Sequence, residues 1–117
     1  MAPEGAAVVL AFINAFNDED LDAFGETLDP EVVIHSARGA RHGINEALAW
    51  ATRVPSGELD QRIELESVET SGDRVVALIR KQWWWRAEGK LAREDEMAWV
   101  FELRDGKIRS WRPIQGR

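Results

Sequence analysis

From Glu58 onward the chain alternates apolar and polar residues almost without interruption, and this period-two pattern constrains the fold more than any other feature. Gln61, Ile63 and Leu65 oppose Arg62, Glu64 and Glu66. Such alternation describes an antiparallel strand with one face buried. Ser71-Gly72-Asp73 reads as a turn, Arg74 to Trp85 as a long strand, Glu88-Gly89 as a second turn, and Leu91 to Leu103 as another long strand. Asp105-Gly106 suits the positive φ of a type I′ hairpin and leads into a last strand, Ile108 to Ile114. Within the meander, Trp83-Trp84-Trp85 are consecutive. Side chains alternate along a strand, so Trp84 points one way and Trp83 and Trp85 the other. Both faces of that strand must then be covered or used.

The first half reads as helical. Pro3 suits a first helical turn. Val8, Phe12 and Phe16 recur at i, i+4 and i+8 with Val9 and Ile13 beside them, which makes one broad apolar stripe. Asp18-Glu19-Asp20 interrupts it and can cap a second helix, in which Leu21, Phe24 and Leu28 share a face until Asp29-Pro30 ends it. Val32-Val33-Ile34 is a short strand, and Ala37 to Gly43 a loop. Ile44 to Arg53 is a third helix with Ile44, Leu48 and Ala51 inward, stopped by Pro55-Ser56-Gly57. Helices first and a meander second predict an α+β fold, with three helices on one face of a strongly curved, mostly antiparallel sheet.

A chain of 117 residues predicts a single domain, 1–117, large enough to bury roughly two-thirds of its unfolded surface. There is no cysteine, hence no disulfide and no thiolate nucleophile or ligand. The net charge of −6 argues against nonspecific binding to nucleic acid or anionic membrane. The start lacks the basic and apolar regions of a secretory signal, and no apolar run reaches the length of a membrane span, so the expected location is cytoplasmic. Two histidines, His35 and His42, show no metal-ligand spacing, and no glycine-rich phosphate loop occurs; no cofactor is expected.

Three groups of residues carry a resemblance: Phe12-Ile13-Asn14-Ala15-Phe16-Asn17 followed by Asp20-Leu21-Asp22-Ala23; Gly43-Ile44-Asn45-Glu46-Ala47; and Leu103-Arg104-Asp105-Gly106-Lys107-Ile108 with Trp111-Arg112. In this order they resemble the nuclear transport factor two-like superfamily and, within it, the SnoaL-like proteins, over roughly Val8 to Ile114. The resemblance implies a cone in which a bent sheet wraps the long helix around an apolar cavity. It also implies relatives that are ketosteroid isomerases, polyketide cyclases, limonene epoxide hydrolases, dehydratases, or proteins that only bind or dimerise. Residue by residue it disfavours two of these chemistries. Phe12 stands where an isomerase would have its oxyanion-hole tyrosine, Ser36 where it would have its base, and Trp99 near its protonated aspartic acid. Pro113 follows Trp111-Arg112 where an epoxide hydrolase would have an aspartate, and Arg80-Lys81-Gln82 keeps the arginine of that family's Arg-x-Asp pair but not the acid.

Folding the hairpin about Glu88-Gly89 pairs Trp84 with Arg93, Gln82 with Asp95, Arg80 with Met97 and Leu78 with Trp99, and opposed residues share a face. The resemblance turns Arg80 and Trp99 toward the cavity. The expected lining is then Gln82, Trp84, Met97 and Trp99, with Phe12, Phe16, Ile34, Ser36 and Trp111 as further ligand-binding positions. Asp95 is the candidate acid or base and Arg80 the electrostatic stabiliser, or Asp95 merely pairs with Arg80 or Arg93. A simple two-residue turn at Asp105-Gly106 would put Trp111 opposite in sense to Trp99, whereas the resemblance puts both inward. A bulge near Arg109 or Ser110 reconciles the two. Trp83 and Trp85 then face outward, as an aromatic pair suited to a homodimer interface.

Three functions stay open on these readings. One is binding of a hydrophobic, ring-containing molecule with cofactor-free acid–base chemistry of an isomerase, cyclase, dehydratase or hydrolase kind. Another is binding without turnover. The last is an assembly module acting through the outer sheet face.

Overall fold

The computed structural model describes residues 4–36, 39–51 and 59–115. Its elements in chain order are α1 (Glu4–Asp18), α2 (Leu21–Glu26), β1 (Leu28–Ser36), β2 (Gly39–His42), α3 (Gly43–Ala51), β3 (Leu59–Ser71), β4 (Arg74–Trp85), β5 (Lys90–Arg104) and β6 (Lys107–Gln115). The expected α+β architecture is present: three helices and one curved sheet of order β2-β1-β6-β5-β4-β3. Every pairing is antiparallel except β1 with β6, which is parallel. Pro3, the Ala37-Arg38 part of the expected loop, and the stop at Pro55-Ser56-Gly57 lie outside the described residues.

The apolar stripe of α1 drives the assembly. Val9, Phe12, Ile13 and Phe16 are buried against Ile63, Val75, Ala77, Ile79, Trp99 and Phe101 on the sheet. At about 25 cal/mol per Å² of apolar surface removed from water, such a face outweighs the weak helix propensity of its β-branched and aromatic residues. The helix stops where its last turn closes with Asp20 N–H to Ala15 O (3.0 Å) and Glu19 N–H to Phe16 O (3.3 Å), leaving Glu19 at φ 56°. This is the paired bonding of a Schellman terminus, in a position usually held by glycine. Asp20 then caps α2, its carboxylate accepting from Ala23 N–H at 3.1 Å, as the acidic cluster implied.

Two local expectations give way to sheet pairing. The second helix ends at Glu26, not at Asp29-Pro30, and Leu28 lies on β1 opposite Ile108. The helical spacing of Leu21, Phe24 and Leu28 is real, but Ile108 N–H donates to Thr27 O at 2.8 Å and fixes the chain beside β6 from there on. Pro30 falls where the β1–β6 register shifts, a place that needs no ladder donor. Residues Gly39 to His42, expected as loop, pair with Val33 to Ser36 as β2.

Asn17, at the end of α1, anchors the helix to the edge strand. Its Nδ2 donates to Ile63 O, and Ile63 N–H donates to its Oδ1, both at 2.8 Å. The side-chain amide thus satisfies an edge residue as a further strand would, which also blunts that edge.

Candidate functional site

The two faces of the sheet are assigned by register. On the face covered by the helices lie Val75, Ala77 and Ile79 of β4 with Trp99 and Phe101 of β5, all buried. The turn at Asp105-Gly106 has positive φ at both residues, 54° and 78°, as a type I′ hairpin requires. Leu103 then pairs with Ile108, but Glu102 pairs with Ser110, so Arg109 is an extra residue in β6. That bulge restores the inward sense of Trp111, which stands opposite Phe101 and is 4% exposed. The bulge lies where the sequence argument needed it.

The β4–β5 hairpin departs from the expected register. Trp85 pairs with Lys90 around a four-residue loop, Arg86 to Gly89, and Gly89 N–H donates to Trp85 O at 2.8 Å. Trp84 pairs with Leu91 but Trp83 with Arg93, so Ala92 is a bulge. Beyond it Gln82 pairs with Glu94, Lys81 with Asp95, Arg80 with Glu96, Ile79 with Met97, Leu78 with Ala98 and Ala77 with Trp99. This is one residue away from the expected pairing, and a one-residue slip exchanges the faces.

Arg80, Gln82 and Trp84 therefore stand on the helix-free face, not with Trp99. Arg80 bridges Glu66 (2.7 Å) and Glu96 (2.9 Å), with Glu94 at 3.9 Å. These carboxylates, led by the Glu96 hydrogen bond, hold its guanidinium above the ordinary arginine range. Gln82 donates to Glu94 at 2.8 Å. Trp84 lies between Asp60 and Leu91. Trp83 and Trp85 turn the other way, to the side of the sheet that Trp99 faces, which corrects their assignment to an outer interface.

Of the remaining expected positions, the structure gathers six. Phe12 is fully buried, with ring centroids 4.6 Å from Phe24, 5.3 Å from Phe101 and 6.3 Å from Trp99. Trp99 and Trp111 are 5.1 Å apart and edge to face. Trp111 lies 4.8 Å from Trp50 of α3, and Trp50 lies 5.9 Å from Phe16. Ile34 is fully buried opposite Trp111, and half-buried Met97 packs against the same cluster. Ser36 is used locally, its hydroxyl donating to Gly39 O at 2.8 Å between the paired ends of β1 and β2. Trp50 was not among the expected site residues.

Asp95 shares the face of Met97 and Trp99, as expected; of its two expected partners it pairs with Arg93 at 2.8 Å, while Arg80 is on the other side of the sheet. Lys81 stands across from Asp95. Lys81 Nζ and the Arg93 guanidinium lie 5.2 Å and 5.1 Å from the Trp83 ring centroid, within cation–π range. Past the Asn17–Ile63 contact, β3 runs four more residues to Leu59, about 13 Å, beside the continuing β4 and β5. No described helix covers this stretch. Its inward residues, Gln61, Lys81, Trp83, Arg93 and Asp95, form a polar shelf that continues the inward row outward past half-buried Met97, on the side away from buried Trp99. Among the described residues, two surface grooves of about 620 and 440 Å³ lie elsewhere, one between α1 and α2 and the other between α1 and β3.

No group of three or more His, Cys, Asp or Glu among the described residues is placed to hold a metal ion. Nor is any helix among them long and apolar enough to cross a membrane.

A family model for the SnoaL-like domain matches residues 9–111. No curated protein matches the chain. Several solved structures share the fold. An LEH-like epoxide hydrolase of M. tuberculosis is 23% identical with TM-score 0.78, over 94% of this chain and 80% of that one. A nuclear transport factor two-like protein of unknown function from Burkholderia pseudomallei is 21% identical with TM-score 0.80, over 97% and 92%. A Catenulispora acidiphila protein with a ketosteroid isomerase-like fold, in complex with trimethylamine, is 16% identical with TM-score 0.78, over 93% and 85%.

Proposed function

The chain belongs to the SnoaL-like domain family, and on that footing we propose that it binds a hydrophobic, ring-containing small molecule on its concave face. The observation that carries this reading is the gradient across that face. Along the inward row, buried Trp99 is followed by half-buried Met97 and then by a shelf bearing Lys81, Trp83, Arg93 and Asp95, while half-buried Trp50 packs on Trp111 from α3. Apolar walls with a few convergent polar groups suit a small organic ligand. In this reading Lys81 and Arg93 take an acidic or oxygen-bearing substituent, the role expected of Arg80 from the sequence.

Where the ligand is turned over, Asp95 is the group that moves the proton. It is the carboxylate that β3, β4 and β5 present to the concave side, next to Met97. The chemistry would be cofactor-free, of the isomerase, cyclase, dehydratase or hydrolase kind.

The test is titration with 1-anilinonaphthalene-8-sulfonate, which combines fused and single rings with an anion. Saturable one-to-one binding is expected. Trp83→Ala should weaken it roughly tenfold, the scale of one aromatic contact. Lys81→Ala should weaken it as well, whereas Gln82→Ala on the opposite face should not. Absence of saturable binding would sink the reading. For a substrate found by screening, Asp95→Asn should remove turnover and leave binding intact.

A second reading concerns the helix-free face and is compatible with the first. Leu78, Ala98 and Ile114 form one row across β4, β5 and β6, with Leu78 49% and Ile114 47% exposed. Val76 and Val100 form the next row, and Val100 is buried without joining the core. This apolar centre supports a homodimer through the sheet face. Leu78→Asp with Ile114→Asp should convert a sedimenting dimer to monomer. A wild type that sediments as a monomer at high micromolar concentration removes this reading.

A further inference from the structure

Trp111 carries a buried polar atom with no described partner. Its indole Nε1 is shut off from solvent and makes no hydrogen bond. The other buried atom of that kind, Arg80 Nε, still has the Glu94 carboxylate at 3.9 Å. Leaving a buried donor unpaired forfeits its hydration with no return, and a buried tryptophan N–H usually finds an acceptor. A phenylalanine at 111 would fill much of the same space without that penalty. The indole therefore carries a donor that the folded chain does not use.

The surroundings say from where an acceptor could come. Trp111 is held from one side by Trp99, 2% exposed and edge to face with it, and on the strand beside it by fully buried Ile34. Neither can yield. Its remaining indole neighbour, Trp50, is half-buried on the short helix α3 at 4.8 Å. Trp50 is the least buried of these three neighbours, so it is the one a ligand would displace.

We propose that Trp111 Nε1–H is the hydrogen-bond donor that reads the ligand, and that the ligand is a flat ring system bearing an acceptor oxygen, a ketone or quinone carbonyl, on the edge inserted deepest. The ring lies against Trp50 and Trp99 while the oxygen meets the N–H; any acidic substituent stays outside at Lys81 and Arg93. This deepens the small-molecule reading above and rests on it. A pocket built to donate a hydrogen bond discriminates against an analogue lacking the acceptor, because the donor is then left unpaired.

Fluorenone and fluorene differ at one carbon, C=O against CH₂, and are otherwise matched. Wild-type protein should bind fluorenone about tenfold more tightly than fluorene, the scale of one buried neutral hydrogen bond. Trp111→Phe should bring the two affinities together. In the ¹H–¹⁵N spectrum of the wild type, the Trp111 indole signal, identified by its loss in Trp111→Phe, should move downfield with fluorenone and not with fluorene. This readout stands even if the variant folds poorly. An indole signal unmoved by bound fluorenone, or a preference for fluorenone that survives in Trp111→Phe, overturns the proposal. In the former case the N–H is held by the face of a neighbouring indole. If 1-anilinonaphthalene-8-sulfonate binds while the oxygen makes no difference, the donor role fails and the site reading stands. If neither that dye nor either tricyclic compound binds, both fall.

Discussion

Replacing Gly5 by alanine should destabilise this protein, although the usual expectation for a helical glycine is the reverse. Gly5 is the second residue of α1, the helix that roofs the concave face. In a helix interior Gly→Ala contributes up to about 1 kcal/mol of stability, and less within the first turn. Here a Cβ would stand 2.7 Å from Val75 Cγ2 and 3.1 Å from Leu103 Cδ1. Leu103 is half-buried and can turn aside. Val75 is fully buried on β4, and its β-branched side chain has little rotamer freedom. The helix must lift or the strand must shift, at the ~1–3 kcal/mol of an overpacked core. The net effect is a loss of about 1–2 kcal/mol, which for a chain of this size lowers the melting temperature by roughly 4–8 °C. Calorimetry of the single variants and of Gly5→Ala with Val75→Ala decides it. Removing the Val75 methyl groups should make Gly5→Ala neutral or stabilising, a coupling of about 1–2 kcal/mol. A Gly5→Ala protein that melts above wild type, or a strictly additive double variant, refutes the claim that α1 touches the sheet at this glycine.

Glu19→Gly should raise the melting temperature by a few degrees, because Glu19 holds φ 56° at the Schellman end of α1 and the left-handed conformation costs an L-residue about 1–2 kcal/mol, part of which glycine returns as unfolded-state entropy. Thermal unfolding by circular dichroism measures it, and a lowered midpoint would contradict it. Asp29 is buried and accepts from Arg104 at 2.8 and 3.1 Å and from Glu31 N–H at 2.8 Å, and these bonds, Arg104 first, hold its carboxyl below the ordinary range. With the folded pKa lowered, its contribution to stability is full above the unfolded value of about 3.9 and disappears as pH falls through the folded value. In urea titrations Asp29→Asn should therefore be less stable than wild type at pH 7, and the gap should close below about pH 4. A gap that persists unchanged to the lowest accessible pH would place the stabilising interaction elsewhere.

The fold was legible because its signals were redundant. In β3, β4 and the second half of β5, alternation, turn residues and length all pointed to the same strands, and Arg74–Trp85 was bounded without error. Where signals conflicted, the conflict itself was informative. The type I′ turn and the need for an inward Trp111 could both hold only with a bulge, and Arg109 is that bulge. The start of β1 was misread because Leu21, Phe24 and Leu28 have helical spacing, and the parallel partner that claims Leu28 lies about eighty positions on, out of reach of any local pattern. The anchoring role of Asn17 left no signal at all, since an exposed-looking asparagine at a helix end is ordinary.

The candidate site was misassigned for a reason internal to the hairpin between β4 and β5. Register is specified only where the two faces of a strand differ in polarity. From Lys81 to Trp85, and from Lys90 to Glu96, they do not: charged residues and indoles fall on both sides. A shift of one residue there is invisible to alternation, yet it decides which arginine faces the ligand. Two local features set it, the four-residue loop Arg86 to Gly89 and the extra residue Ala92. Together they turn Lys81, Trp83 and Arg93 inward and leave Arg80 among Glu66, Glu94 and Glu96 on the back of the sheet. The aromatic core farther along the same strands is fixed by burial instead, since only the pairing of Ala77 with Trp99 keeps Val75, Ala77 and Ile79 on the face of Trp99 and Phe101. The polar end of the site is thus set by hairpin length while its apolar end is set by the core. A one-residue change in that hairpin would alter which charges a ligand meets without disturbing the indoles behind them.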